Sequence, residues 1–323
     1  MARRAGIAAF ALSVLMLLPC AMGAQVHTVA ITVDDLPLAS SHPQTLSPAE
    51  AKRARLVNRK ILRTFARQHI PATGFVIEQR AEQLGSPAST KILRQWLAPS
   101  LDLGNHLYSH PDVNTLSVEQ VEQEIIRGEA TLSPLLKSVS RHPEFLRFPY
   151  NHTGDTQAKH DGIAAFMAAH GYRLAPCTIE NDDWEFNAAY ELALERRDAR
   201  GAARIRAAYI AYTETKIDWY TALDKQVFGY EPPHIMLLHD NALNADAIGK
   251  VLSLFAQRRY TFVSLAEATK DPAYSVPETY VTSFGPMWGY RWAQELHVKV
   301  TGRDEPEPPA WVAQYGSEHG VDH

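Results

Sequence analysis

Cysteine is nearly absent from this chain: there are two in 323 residues, Cys20 and Cys177. Cys20 lies at the end of a leading apolar run that is expected to be cleaved, so no intramolecular disulfide is available to the mature chain. Cys177 is then read as a buried strand residue, because a free cysteine packs like a small hydrophobe. Positive charge is not in excess either. Lys and Arg total 32 against 36 Asp and Glu, giving a formal net charge of -4. No broad phosphate-neutralising face is supplied, which argues against a nucleic-acid partner. The basic clusters at residues 52–55 and 258–259 fall in or beside helix-like stretches and read as solvated helix faces. After the N-terminal run there is no second apolar stretch of membrane-spanning length, and there is no internal repeat or low-complexity tract. At 46% hydrophobic and 21% charged residues, the rest of the chain has the balance of a globular protein.

What is present begins with a three-part leader. Arg3 and Arg4 precede an apolar run over residues 7–18, and the small residues Ala21, Gly23 and Ala24 follow. That is the pattern of a secretory signal peptide, expected over residues 1–24. The run falls short of the ~20 apolar residues that a bilayer span needs, so no stable membrane insertion is expected after cleavage. Export to the periplasm is favoured over full secretion.

Beyond the leader, strand-like and helix-like runs alternate. Strands are expected at residues 29–33, 73–77, 101–107, 145–148, 173–179, 234–239 and 261–265. Ser47, Pro48 and Glu50 form a helix start, with a cap, a first-turn proline and a capping-box glutamate. Leu56, Val57, Ile61 and Phe65 follow on one expected face. Ser117 and Gln120 repeat the capping pattern and open a helix to about residue 136. Residues 187–228 read as a helical insertion before the sixth strand, interrupted at Gly201. Residues 273–323 read as a C-terminal extension, with Trp288 and Trp292 packed on the domain formed by residues 25–272. Such alternation means a parallel sheet with helices outside it, and about seven units is close to a barrel. In folds of this kind functional residues gather at the C-terminal ends of strands.

Chemistry-bearing residues fall at those ends. The first strand runs into Asp34 and Asp35, two adjacent carboxylates that repel unless a positive group is near. The third runs into His106 and His110, imidazoles spaced to reach one metal if the segment turns. Asp35 with His106 and His110 would make a two-histidine, one-carboxylate site with positions open for water and substrate. The fourth strand ends in Arg147, suited to hold a carboxylate ionised, and Tyr150 follows. Asp183 and Trp184 follow the fifth strand, and the apolar sixth ends in His239. Taken singly, each has a plainer reading: a loop or capping pair for the aspartates, surface residues for the histidine pair, a core histidine for His239. Five such signals at successive strand ends are harder to assign to chance.

These motifs resemble those of the polysaccharide deacetylase family, the NodB-homology domain of carbohydrate esterase family 4. Residues 32–37 look like its T-F-D-D-G-P, residues 106–110 like H-[ST]-x-x-H, residues 147–150 like R-x-P-[YF], residues 180–184 like D-x-x-D-W, and residues 237–239 end like L-x-x-H. The resemblance covers residues 29–265. It departs at Leu36, where the family has Gly, at Leu107, where the family has a hydroxyl residue that supports the loop, and at Glu180, where the family has Asp. The resemblance implies a distorted (β/α)7 barrel. It implies a divalent metal, with Zn²⁺ the expected ion, on Asp35, His106 and His110. It also implies Asp34 as general base, Arg147 holding Asp34, the Tyr150 N–H facing the oxyanion, and His239 as general acid paired with Asp183. Trp184 and Tyr150 would wall the acetyl pocket. The expected activity is removal of N-acetyl groups from an N-acetylglucosamine-containing saccharide. Hydrolysis of a non-sugar amide or an O-acetyl ester uses the same groups and stays open, as does an inactive carbohydrate-binding role.

Overall fold

The computed structural model describes residues 27–39 and 47–317. The expected signal segment and the last residues of the chain lie outside that range. Among the described residues no helix is long and apolar enough to cross a membrane.

Strand β1 (Thr28–Leu36) is buried at every position after Thr28, as expected of a central parallel strand covered on both faces. Helix α1 (Pro48–Gln68) opens on a full capping box: the Ser47 hydroxyl accepts the Glu50 N–H at 3.3 Å and the Glu50 carboxylate accepts the Ser47 N–H at 2.6 Å. Val57, Ile61 and Phe65 are buried on its inner face, whereas Leu56 is exposed and Ala54 and Asn58 take the places beside it. The chain continues through β2 (Ala72–Val76), α2 (Glu78–Leu84), α3 (Ser86–Leu93), β3 (Leu101–Asn105), α4 (Val118–Arg127), α5 (Leu132–Lys137), β4 (Phe145–Leu146), α6 (Gln157–Ala169) and β5 (Arg173–Leu174). Two long helices, α7 (Asp183–Glu195) and α8 (Ala199–Phe228), separate β5 from β6 (His234–His239). Helix α9 (Ala242–Gln257), β7 (Thr261–Val263), α10 (Leu265–Ala268), α11 (Trp288–Glu295) and α12 (Ala310–Ser317) complete it.

All the strand pairs are parallel, in the order β5-β4-β3-β2-β1-β6. The sheet curls until Ile179, just past β5, bridges Met236 of β6. Val29 and Ala30 pair with β6 on one edge and with β7 on the other. Strand β7 therefore flanks the start of β1 on the edge that β2 uses further along, and the barrel is a distorted (β/α)7 form.

Several boundaries differ from the sequence expectation, for local reasons. The fifth strand stops at Leu174 instead of running to 179. Pro176 has no N–H to offer a ladder, and the Arg147 guanidinium takes the Ala175 and Pro176 carbonyls at 3.4 and 2.9 Å. The third strand ends at Asn105, because Leu107 turns into the left-handed region (φ 67°). In the segment between β5 and β6 the first helix starts already at Asp183. The break expected at Gly201 falls instead at Arg196–Asp198, where the Asp198 side chain caps α8 by accepting the Gly201 N–H at 2.9 Å. Trp288 and Trp292 are buried, α11 packs on α8 and α12 packs on α7. Cys177 is fully buried and its thiol is pushed up by that burial, which keeps it an inert core group.

Candidate active site

The cluster sits at the C-terminal mouth of the barrel. Asp34 and His239 are register partners on adjacent strands, so they emerge side by side. Arg147 is the hub. Its Nη1 donates to Asp34 Oδ1 at 2.9 Å and to Thr32 Oγ1 at 2.7 Å, while its own carbonyl accepts from His106 Nδ1 at 2.7 Å. A carbonyl only accepts, so His106 donates from Nδ1, which leaves its Nε2 facing the aspartates. At 1% exposure, the guanidinium can be buried only because all of these partners satisfy it.

Asp35, His106 and His110 present ligand atoms that lie within 4.8 Å of one another. His106 Nε2 and His110 Nε2 are each 3.5 Å from Asp35 Oδ1. That oxygen is buried and has no hydrogen-bond partner, a costly state for a carboxylate unless a cation is meant to meet it. Burial pushes the Asp35 carboxyl up, but Arg80, His110, His106 and His239 together hold it well below the usual range, so it is ionised. Burial pulls His110 down to about 4 against the opposing pull of Asp35, so its imidazole is neutral and can donate a lone pair. A carboxylate with an orphaned oxygen and two imidazole nitrogens fit a divalent metal.

On the other side, His239 Nδ1 lies 2.5 Å from Asp183 Oδ1. Burial works against the charged imidazolium, yet the Asp183 charge and hydrogen bond, with help from Asp35 and Asp34, raise His239 to about 10. Asp183 is itself fixed: Oδ2 accepts the His239 N–H at 2.8 Å, the Asn241 amide at 3.3 Å and the Asn244 amide. It stands in the first turn of α7, where a carboxylate is favoured by the helix dipole.

Tyr150 and Asn151 both take left-handed backbone (φ 59° and 54°) in a turn after β4. The Tyr150 ring is 5.1 Å from the His110 ring and is 59% exposed. The C-terminal extension clamps this turn. Arg291 donates to the Asn151 carbonyl at 2.6 Å and the Thr153 hydroxyl at 3.1 Å, and it pairs with Glu278. Gly285 lies so close that a Cβ there would meet the Tyr150 carbonyl oxygen at 1.7 Å. Trp184 follows Asp183 and is half exposed.

Each departure from the family motifs has a local counterpart. Leu36 is fully buried against Gly74, whose missing Cβ leaves room for it (2.2 Å from the Leu36 Cδ1). Leu107 is buried with Val113, Val121, Ile125 and Phe148, and its N–H is held by the Asn105 carboxamide at 2.8 Å. Asn105 thus supports the loop. Glu180 does not join the His239 pair; it turns to Lys216, 3.3 Å away.

Sequence reasoning missed Arg80, 3.1 Å from Asp35 Oδ2, and Thr32, Asn241 and Asn244. Thr32 had a signal, since side chains at positions 32 and 34 share one face of a strand. Arg80 had none, being brought in by the α2 turn. It also missed Asp240, which burial raises well above the usual carboxyl range and which turns away from the cluster to Asn58 at 2.6 Å.

The fold and the cluster together define a curled parallel α/β barrel whose carboxylates and imidazoles converge at the C-terminal strand ends, the mouth where barrels of this kind build their sites. Residues 22–174 match the family model described as polysaccharide deacetylase. Over that span, a little under half of its length, the chain is similar to the polysaccharide deacetylase family. A peptidoglycan-N-acetylglucosamine deacetylase from Bacillus cereus is 24% identical over 126 residues, covering 39% of this chain and 41% of that protein. The chain thus matches less than half of that relative's length. An uncharacterized 30.6 kDa protein from Geobacillus stearothermophilus is 22% identical over 68% of this chain and 69% of its own length. Among solved structures, a polysaccharide deacetylase from Bacillus cereus superposes with a TM-score of 0.50 at 16% identity, covering 74% of this chain and 91% of that one. A CE4 family pseudoenzyme from Bacillus anthracis gives 0.50 at 12% identity, with 76% and 66% covered. Both likenesses speak to the fold.

Proposed function

We propose that this protein is a metal-dependent deacetylase that removes N-acetyl groups from N-acetylglucosamine-containing poly- or oligosaccharides. The observation that carries the reading is the pairing of an arginine-held carboxylate, Asp34, with a carboxylate-held imidazolium, His239, on adjacent strands beside the Asp35–His106–His110 triad. Asp35, His106 and His110 would hold a divalent metal, Zn²⁺ by the two imidazoles, and that ion would supply Lewis acidity toward the acetyl carbonyl and acidify water. Asp34 takes a proton from the attacking water as its oxygen bonds to the acetyl carbon. The carbonyl electron pair moves onto oxygen, and the turn at Tyr150 offers its backbone N–H to that oxyanion. The pair then returns as the C–N bond breaks, and His239 gives its proton to the departing nitrogen. Acetate and a free amino sugar result. Arg147 pairs with Asp34 and aims it; Asp183 keeps His239 protonated. Trp184 and Tyr150 flank the acetyl group as half-exposed walls. The leader at residues 1–24 supports export, with the periplasm as the place of action, which cell fractionation tests.

The test is acetate release from N-acetylglucosamine oligomers and peptidoglycan, with mature protein, before and after chelation and Zn²⁺ add-back. Acetate that vanishes with chelator and returns with metal supports the reading. No acetate from any sugar, with metal bound, transfers the proposal to an amide or ester outside the saccharides.

A further inference from the structure

A second feature lies beside the catalytic cluster, built wholly from residues past the family match. It is a cleft of about 510 Å³, walled by Tyr280, Phe284 and Tyr290 and floored by Glu180, Tyr220 and Glu305. That volume lies in the range of ligand-binding clefts. Two contacts tie it to the site. Gly285 presses on the Tyr150 carbonyl, and the Tyr150 ring neighbours His110. On the floor, Glu180 accepts the Asp182 N–H at 3.0 Å, and the next residue, Asp183, holds His239. A chain bound with one unit at the metal triad therefore has this cleft within reach of a neighbouring unit.

The chemistry of the cleft is one-sided. Lys216, 3% exposed, stands 3.3 Å from Glu180, 3.6 Å from Asp182 and 2.6 Å from Glu305: three carboxylates share one ammonium. The Tyr220 and Tyr290 phenols donate to Glu305 at 2.5 and 2.8 Å. Burial above all, then the neighbouring Asp182, lifts Glu180 to about 7 against the pull of Lys216. Phe284 projects into solvent at the rim, 60% exposed, although burying an apolar ring is normally favourable. A large exposed aromatic beside polar acceptors suits a ligand with an apolar face and hydroxyls at its edge. A pyranose ring has both. The excess of carboxylates repels a ligand that carries its own.

We propose that this cleft is a saccharide subsite that takes a neutral or amine-bearing sugar next to the unit being deacetylated, stacks it on Phe284, and rejects sugars that carry a carboxylate. This rests on the deacetylase reading and narrows its substrate to neutral or partly deacetylated N-acetylglucosamine chains, in preference to glycans with acidic units. The clamp that Arg291 places on the neighbouring turn holds the wall in place before substrate arrives, which lowers the ordering cost of binding.

The test is calorimetric titration in an Asp34→Asn background, so that turnover does not consume the ligand. The probes are an N-acetylglucosamine hexamer and a muramic-acid-containing glycan of matched length. Phe284→Ala, at an exposed position, removes the platform. The expected result is about tenfold weaker hexamer binding in Phe284→Ala, and at least about tenfold weaker binding of the acidic glycan than of the hexamer, the second gap narrowing as salt is raised. Equal hexamer affinity with and without the Phe284 ring, equal affinity for both glycans, or no hexamer binding at all overturns the subsite. Binding that depends on Phe284 in a protein whose Asp34-bearing form releases no acetate overturns the deacetylase reading and upholds the subsite.

Discussion

Replacing Asp183 with Asn tests the acid side of the site most sharply. Both oxygens of Asp183 face donors: Oδ1 meets His239 Nδ1, and Oδ2 meets the His239 N–H, the Asn241 amide and the Asn244 amide. An Asn side chain has one oxygen. Turning it toward the three donors of the second group leaves its NH₂ against His239 Nδ1, where a protonated nitrogen cannot be accepted. His239 is then forced into the neutral form with its proton on Nε2. The negative charge that opposed burial is also gone, so the imidazole pKa falls from about 10 to roughly its ordinary 6.5 or lower. Near pH 8 the protonated fraction drops from nearly all to about 3%, which predicts a kcat loss of roughly thirtyfold there if protonation of the leaving nitrogen limits turnover. A dication on the triad offsets the Asp35 and Asp34 contributions and leaves Asp183 as the main group raising His239, so the variant effect persists in the metal-loaded protein.

The assay is kcat against pH from about 5 to 11, with metal content measured in the same samples. In the wild-type protein the alkaline limb should lie well above neutrality; in Asp183→Asn it should move down by several pH units. An unmoved limb, with unchanged metal, refutes the assignment of His239 as the acid held by Asp183. The same pair sets a stability dependence. Because the folded-state pKa of His239 is raised, its contribution is fully present below about pH 6.5, the unfolded value, and is lost as pH rises through about 10. Denaturant midpoints of wild type and Asp183→Asn should therefore differ most in mild acid and converge in strong alkali.

Asp34→Asn should keep stoichiometric metal and lose turnover by about a hundredfold or more, since a general base contributes about 10²–10⁴; near-normal acetate release would remove it from the base role. His106→Ala should lose both metal and activity, and full metal content by elemental analysis would displace the triad. Gly285→Ala forces the Tyr150 carbonyl to move, so kcat should fall about tenfold or more while metal content holds, with faster amide hydrogen exchange at residues 148–154; unchanged exchange there would show that the clamp does not set the turn. Gly74→Ala pushes a methyl into the space of Leu36, at 2.2 Å, and of Trp96, at 3.0 Å. It should cost about 1–3 kcal/mol by urea unfolding, and Leu36→Ala in the same chain should relieve part of that cost.

The parts of the site that follow strand ends were legible in the sequence because a strand end is marked twice, by the apolar run before it and by the polar residue that stops it. His106, Arg147 and His239 carry that double mark, and Asp34 carries the first, since β1 runs on to Leu36. The parts brought in from outside carry neither. Arg80 reaches Asp35 from a helix turn after β2, and Asn244 reaches Asp183 from the first turn of α9. Only the packing of helix on sheet decides that they meet the cluster. The strand ends themselves were drawn too long at β3, β4 and β5 for a similar reason. The apolar pattern continues through Leu107, Phe148 and Ile179, but the backbone there serves other partners: Asn105 for Leu107 and the Arg147 guanidinium for residues 175–176. Periodicity records burial, not whether the ladder continues.

Arg291 shows why the C-terminal extension matters to a site that the family match does not connect with it. Two consecutive non-glycine residues in left-handed backbone cost roughly 1–2 kcal/mol each, so the turn at Tyr150 and Asn151 does not hold its shape unaided. The barrel supplies hydrogen bonds of the turn itself, from Asn151 N–H to the Phe148 carbonyl at 3.2 Å and from His152 N–H to the Pro149 carbonyl at 3.1 Å. The Asn151 carbonyl is taken by Arg291, which is 1% exposed and whose charge is balanced by Glu278. Glu278 is in turn met by His160 of α6 at 2.7 Å. The turn is therefore locked between α6 on the barrel and α11 on the extension. Glu278→Gln keeps the size of the side chain and removes the charge that balances Arg291. It should loosen the turn without touching a metal ligand, lowering kcat while the metal content of the triad stays whole. An equal loss of metal and kcat would mean that Glu278 acts on the barrel at large and not through this turn.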